Sequence, residues 1–212
     1  MDSNLTVEEM CTLAFTAGEA GDLKGAKSWY ERAAELGNSD AMFELGLMAG
    51  EAGDLKGEKS WYERAAELGD ADAMDLLGAM AREAGDLKSA KSWYERAAEL
   101  GNSDAMIGLG DMAREAGDLK SAKGWFERAA ELGNSDAMVY LGDMAGEAGD
   151  LKGEKGWFER AVELGNSAAM FMLGGMAHEA GDLKGAKSWW ERAAELGDAD
   201  AMANLGAMTH DA

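Results

Sequence analysis

The sequence predicts an all-α solenoid, a row of stacked antiparallel helix hairpins built on a 32-residue repeat. Three observations predict it. First, Trp29, Trp61, Trp93, Trp125, Trp157 and Trp189 stand 32 residues apart, as do Gly21, Gly53, Gly85, Gly117, Gly149 and Gly181. A fixed period of about 20–50 residues marks a solenoid or a propeller. Second, proline is absent, valine, isoleucine and threonine are scarce, and alanine, glutamate, leucine, lysine and methionine dominate. That composition favours helix over β-blades. Third, each unit holds two apolar-periodic runs separated by short glycine-containing turns. Turns this short force neighbouring helices antiparallel.

The elements follow in order. Residues 8–39 form a divergent first unit, with Cys11, Leu13 and Phe15 in its first helix. Residues 40–199 hold five near-identical units, and residues 200–212 a lone first helix that caps the array; 1–212 is thus expected to be one solenoid domain. In the unit at Asp40, the first helix carries Ala41, Leu45, Met48, Ala49 and Ala52 on one side. Ser39 is the expected N-cap, with Asp40 favouring the positive end of the helix dipole. Gly53 suits the left-handed position that ends the helix. Asp54 then caps the second helix, whose buried stripe is expected to hold Leu55, Trp61, Ala65 and Leu68. Gly69 ends it. The tryptophans are expected to fill the gaps between units. A lone hairpin of this size cannot bury both faces, which is why the unit must be repeated.

The first-helix "LG", the "GD" turn and the run "A-x-x-W-Y-E-R-A-A-E-L-G" resemble the tetratricopeptide and Sel1-like repeat families. The link "WYERAAELGNSDAM" followed by "LG" is most similar to Sel1, and the "AGDLKGAK" turn to a tetratricopeptide hairpin. The resemblance implies a right-handed superhelix whose first helices line a concave groove. It also implies an interaction scaffold with no chemistry of its own. The proline usual between units is missing, with "GNS" or "GDA" in its place.

Four first-helix positions vary while their neighbours hold. They read Phe43, Asp75, Ile107, Val139, Phe171, Ala203; then Glu44, Leu76, Gly108, Tyr140, Met172, Asn204; then Leu47, Ala79, Asp111, Asp143, Gly175, Ala207; then Gly50, Arg82, Arg114, Gly146, His178, His210. The first, third and fourth are spaced i, i+4, i+7 and share one helix face. No fixed packing partner accepts Phe, Asp and Ala in turn, so the stripe is not read as core. Drift at an exposed surface would leave mostly polar residues, whereas Phe43, Leu47, Ile107, Val139 and Phe171 are apolar. The candidate ligand groove is therefore Phe43, Glu44, Leu47, Asp75, Leu76, Arg82, Ile107, Asp111, Arg114, Val139, Tyr140, Asp143, Phe171, Met172 and His178. Arg82 and Arg114 either grip a partner carboxylate or neutralise the neighbouring aspartates. A ladder of Glu51, Glu83, Glu115, Glu147 and Glu179 beside the fourth position favours a basic or amine-bearing peptide. Glu58 and Glu154 replace a recurrent second-helix alanine in the two units that carry Gly50 and Gly146, and the missing side chain is read as room for the glutamate to reach water.

Other functions find little support. A formal net charge of −21 repels nucleic acid and anionic membranes, although most of it belongs to the repeated unit and serves as solvated background. Cys11 is the only cysteine, which excludes an internal disulfide or a thiolate zinc cluster. The basic n-region of a secretory signal is absent, so a cytoplasmic setting is expected. His178 and His210 are the only histidines, one period apart, and make a poor metal signal. No nucleophile or phosphate-loop pattern breaks the repeat. Neither an enzyme nor a cofactor is expected. The reading is a peptide- or protein-binding scaffold. The alternative is an engineered or structural consensus array without a native ligand, self-associating weakly end to end.

Overall fold

The computed structural model describes residues 5–210, with side-chain surroundings to residue 208. These residues form thirteen α-helices and no strand. The first compact unit, up to Gly108, holds α1 (Val7–Glu19), α2 (Leu23–Glu35), α3 (Ser39–Glu51), α4 (Leu55–Glu67), α5 (Ala71–Glu83), α6 (Leu87–Glu99) and the start of α7 (Ser103–Glu115). The second, from Leu109, holds the rest of α7 with α8 (Leu119–Glu131), α9 (Ser135–Glu147), α10 (Leu151–Glu163), α11 (Ser167–Glu179), α12 (Leu183–Glu195) and α13 (Ala199–His210). Within each unit, odd and even helices pair as hairpins, and each even helix packs on the next odd one. This is the α-solenoid class of fold.

Three residues separate consecutive helices, and their chemistry sets the ends. Asp54 accepts from the Gly57 N–H at 3.0 Å, and the same contact recurs at the start of every even helix. It satisfies one of the amides that the first turn leaves without a partner. Gly53 adopts φ +75°, a backbone region that costs a side chain steric strain, and this turns the chain out of α3. At α3 the cap corrects the sequence reading. Asn38, not Ser39, accepts from the Ala41 N–H, at 2.7 Å. Ser39 already lies inside the first turn. Thr6 and Glu9 form a reciprocal capping box on α1.

The core departs from expectation in one systematic way. The buried aromatic of each even helix is the residue after the repeated tryptophan: Tyr62 is 1% exposed, and Tyr94, Phe126, Phe158 and Trp190 are likewise buried. Tyr62 is buried together with Ala65 and Ala66, and its ring faces Gly46 in the odd helix of its hairpin. The six tryptophans are half-buried at the edge instead. Each carries the arginine three residues on against its ring face, as Arg64 does over Trp61 at 4.3 Å. Neighbouring residues on a helix point about 100° apart, so Trp61 and Tyr62 cannot both face α3. Leu55 and Leu68 also lie off the buried stripe, Leu55 being 67% exposed. Trp61 borders a cleft of about 450 Å³ with Leu23, Lys27, Leu45 and Met48, without filling it.

The recurrent first-helix glycine, replaced by Ala14 in the first unit, is explained by this ring. A β-carbon on Gly46, Gly78, Gly110, Gly142 or Gly174 would overlap the aromatic opposite. In the second unit, Leu205 and Met208 of α13 pack against Met170, Ala186, Trp190, Ala193 and Ala201.

Candidate functional site

The variable stripe sits on the odd helices, and its aromatic members Phe43, Tyr140 and Phe171 rest on buried aromatics of the even helices. In the first unit, the Phe43 ring meets Tyr62 at 5.7 Å between centroids. Glu44, Asp75, Leu76, Arg82 and Ile107 are half-buried, and Leu47 is 38% exposed. Burial pushes the Glu44 carboxyl above the usual range, with Asp40 and Glu51 adding repulsion. Burial, with Asp104 and Asp72, pushes Asp75 up to about 6. Burial raises the Tyr62 phenol to about 12, with Glu58 and Glu44 contributing.

In the second unit, Tyr140 stacks on Phe126 at 4.8 Å with the rings nearly parallel. Arg114 lies over Tyr140 at 5.5 Å and pairs with Asp111 at 3.1 Å. Of the two roles considered for Arg114, neutralising a neighbouring aspartate is the one this geometry displays. Asp143 is raised by burial and by Glu147, against the opposing pull of Arg114. Val139 and Met172 are half-buried. Phe171 and His178 flank Trp190, at 6.5 and 5.7 Å, and the Trp190 indole N–H donates to the Phe171 carbonyl at 3.1 Å. The side chain of His210 lies outside the described residues, so the histidine pair has no geometry to weigh. Among the described residues, no three His, Cys, Asp or Glu side chains gather as a metal site.

The glutamates at the second-helix alanine position lie where the glycines leave space. A β-carbon on Gly50 would stand 2.8 Å from Glu58 Oε1, and one on Gly146 2.7 Å from Glu154 Oε1. Both glutamates are half-exposed. The structure therefore matches the reading that glycine opens a way to solvent. Burial, with Asp143 and Glu179, raises the Glu154 carboxyl.

Two cavities of about 340 Å³ open on the stripe. The first, in the first unit, is lined by Cys11, Thr12, Phe15, Tyr30, Asp40, Ala41 and Glu44. The second, in the second unit, is lined by Gly175, His178, Glu179, Trp190, Asn204, Ala207 and Met208. Cys11, Thr12 and Phe15 stand one period before Phe43, Glu44 and Leu47. The divergence of the first unit masks them in the sequence, although the 32-residue period places all three on the stripe. The 450 Å³ cleft beside Trp61, by contrast, is lined almost entirely by residues that recur from unit to unit.

The Sel1 repeat model matches residues 17–38, 39–70, 135–166 and 167–198, together more than half of the chain. The chain belongs to the Sel1 repeat family. The match at 39–70 frames the hairpin of α3 and α4. A tetratricopeptide repeat model also matches this Sel1-repeat chain, at residues 76–137. Among solved structures it is similar to a Sel1 repeat protein from Oxalobacter formigenes, at 26% identity and a TM-score of 0.77, over 90% of this chain and 88% of that one. It is similar to a protective antigen of uropathogenic Escherichia coli with an SLR fold, at 25% identity and a TM-score of 0.75. That match covers 95% of this chain but 48% of the antigen, so the chain spans about half the antigen's length. Yeast Tom70 shares the fold at 15% identity and a TM-score of 0.73, over 97% of this chain and 47% of Tom70. No curated protein sequence matches the chain. No helix among the described residues is long and apolar enough to cross a membrane.

Proposed function

We propose that this Sel1-repeat protein is a binding scaffold that holds a peptide or protein partner on the variable stripe of its first helices. One observation carries the reading: both 340 Å³ cavities are lined by stripe positions, while the residues that build the hairpins barely change from copy to copy. Cavities of about 300 Å³ and upward are the usual size for binding a small ligand or an anchoring side chain. Variation along a face that carries two cavities is what a surface reading different residues along a partner requires. The apolar members Phe43, Leu47, Val139 and Phe171 supply contact area, and half-buried Glu44, Asp75 and Asp143 supply charge selectivity. A net charge of −21 disfavours phosphate backbones.

An unbiased peptide-library screen tests the proposal. It is run on the full chain and on a Phe43→Ala/Arg114→Ala/Phe171→Ala variant, with helicity followed by circular dichroism. The scaffold reading expects enriched peptides for the first and loss of capture by the second at equal helicity. Capture that survives the triple change refutes it.

A further inference from the structure

We propose that the cavity between α1 and α3 is an anchor site for a basic side chain, arginine or lysine, of a protein partner. The inference rests on the scaffold reading above and assigns one subsite within it.

The walls divide into two chemistries. Phe15, 64% exposed, forms an apolar wall with Tyr30, Ala41 and the Cys11 sulfur. Asp40 and Glu44 supply carboxylates one helical turn apart on α3. No lysine or arginine lines the cavity. No described side chain forms an ion pair or hydrogen bond with Glu44. Among the described residues, the Asp40 carboxylate accepts a hydrogen bond from the Ser39 hydroxyl alone, at 3.3 Å. Long basic side chains bury an apolar stem and keep the charged head at a polar edge. A stem along Phe15 and Tyr30 with its head at Asp40 and Glu44 matches both walls. A cavity of about 340 Å³ admits one side chain and no folded element.

Three groups in the cavity are raised first by burial and further by neighbouring negative groups. Burial raises Cys11, with Asp40 and Glu44 adding to it. Burial raises Tyr30, with Glu44 and Cys11 adding. Glu44 itself is raised by burial, Asp40 and Glu51. An incoming cation opposes the acidic contribution at all three. An acidic or neutral anchor relieves none.

Cys11 is the only cysteine of the chain, so its thiol reports on this cavity alone. Its Sγ donates to Asn38 Oδ1 at 3.6 Å, which holds it against the start of α3. The test follows the rate of iodoacetamide alkylation of the full chain against pH. It is run alone, with Nα-acetyl-arginine amide, and with the neutral isostere Nα-acetyl-citrulline amide, at matched ionic strength. Simple blocking of the thiol lowers the plateau rate, whereas a nearby cation moves the midpoint. The expected result is a fall in midpoint of about one pH unit with the arginine probe, equal to about tenfold more thiolate below the midpoint, and none with citrulline. In an Asp40→Asn/Glu44→Gln variant the free midpoint is already lower and arginine no longer moves it. Equal effects of the two probes, or an arginine shift that persists in the variant, overturn the assignment. Such a result leaves the scaffold reading to the library screen, where capture by the stripe is measured without reference to this cavity.

Discussion

At Gly142, a substitution that ordinarily strengthens a helix is expected to weaken this one. Alanine is favoured over glycine in a helix interior by about 1 kcal/mol. At Gly142 the new β-carbon meets the buried Phe158 ring, and overpacking of a core costs about 1–3 kcal/mol. Gly142→Ala should therefore lower the urea midpoint. Gly156→Ala, where nothing lies within 4 Å, should raise it. Equal shifts of the same sign would mean that the ring does not define the position. Asp75 supplies a second residue-scale prediction. Its carboxyl titrates near 6 when folded and near about 4 when unfolded. Between those values the folded state holds a proton that the unfolded chain has released. The stability Asp75 contributes is thus present below pH about 4 and lost as pH rises through about 6. Asp75→Asn should be more stable than the parent at pH 7.5, by about 1–2 kcal/mol once solvent screening is allowed for, with the gap closing at pH 4. Denaturant titrations at the two pH values measure it.

At the scale of the element, the helix ends were the most legible part of the sequence. Gly53 and Asp54 have one conformational and one hydrogen-bonding role each, and both are met where the sequence puts them. The α3 cap falls one residue before the expected Ser39 because Asn38 and Ser39 are both good caps, and side-chain type alone does not choose between adjacent candidates. Asn38→Ala should cost about 1 kcal/mol, and Ser39→Ala much less, by thermal or urea midpoint. The tryptophans were misplaced for a related reason. Trp61 and Tyr62 are adjacent aromatics, and recurrence alone does not say which of the two faces the core. The structure reverses this. The core position tolerates Tyr, Phe or Trp behind a glycine that only the first unit replaces, with Ala14, while the invariant tryptophan is half-buried beneath its arginine. Contacts of this kind add about 0.5–1 kcal/mol each at exposed sites.

For the whole molecule, the repeat makes the fold readable and the site only partly so. Identical copies fix the hairpin, and departures from identity mark the stripe, as at Phe43, Tyr140 and Phe171. Which stripe positions open into cavities was not legible. It depends on how far each side chain leans on the aromatic behind it, as Phe43 does on Tyr62, and on the divergent Cys11 and Phe15. Charge also acts at this scale. A net −21 destabilises a compact state through self-repulsion, and salt screens it. Raising NaCl at pH 7.5 should therefore raise the thermal midpoint. The central claim is that partners read the variable stripe and not the repeated surface. Calorimetric titration of the tightest library peptide tests this most directly. It compares the parent, the Phe43→Ala/Arg114→Ala/Phe171→Ala variant, and a Leu55→Ala/Leu87→Ala/Leu151→Ala control that removes exposed repeated leucines. The account predicts at least about a tenfold loss for the stripe variant, about 1.4 kcal/mol, and parental affinity for the control. Parental affinity in the stripe variant with loss in the leucine control would contradict it.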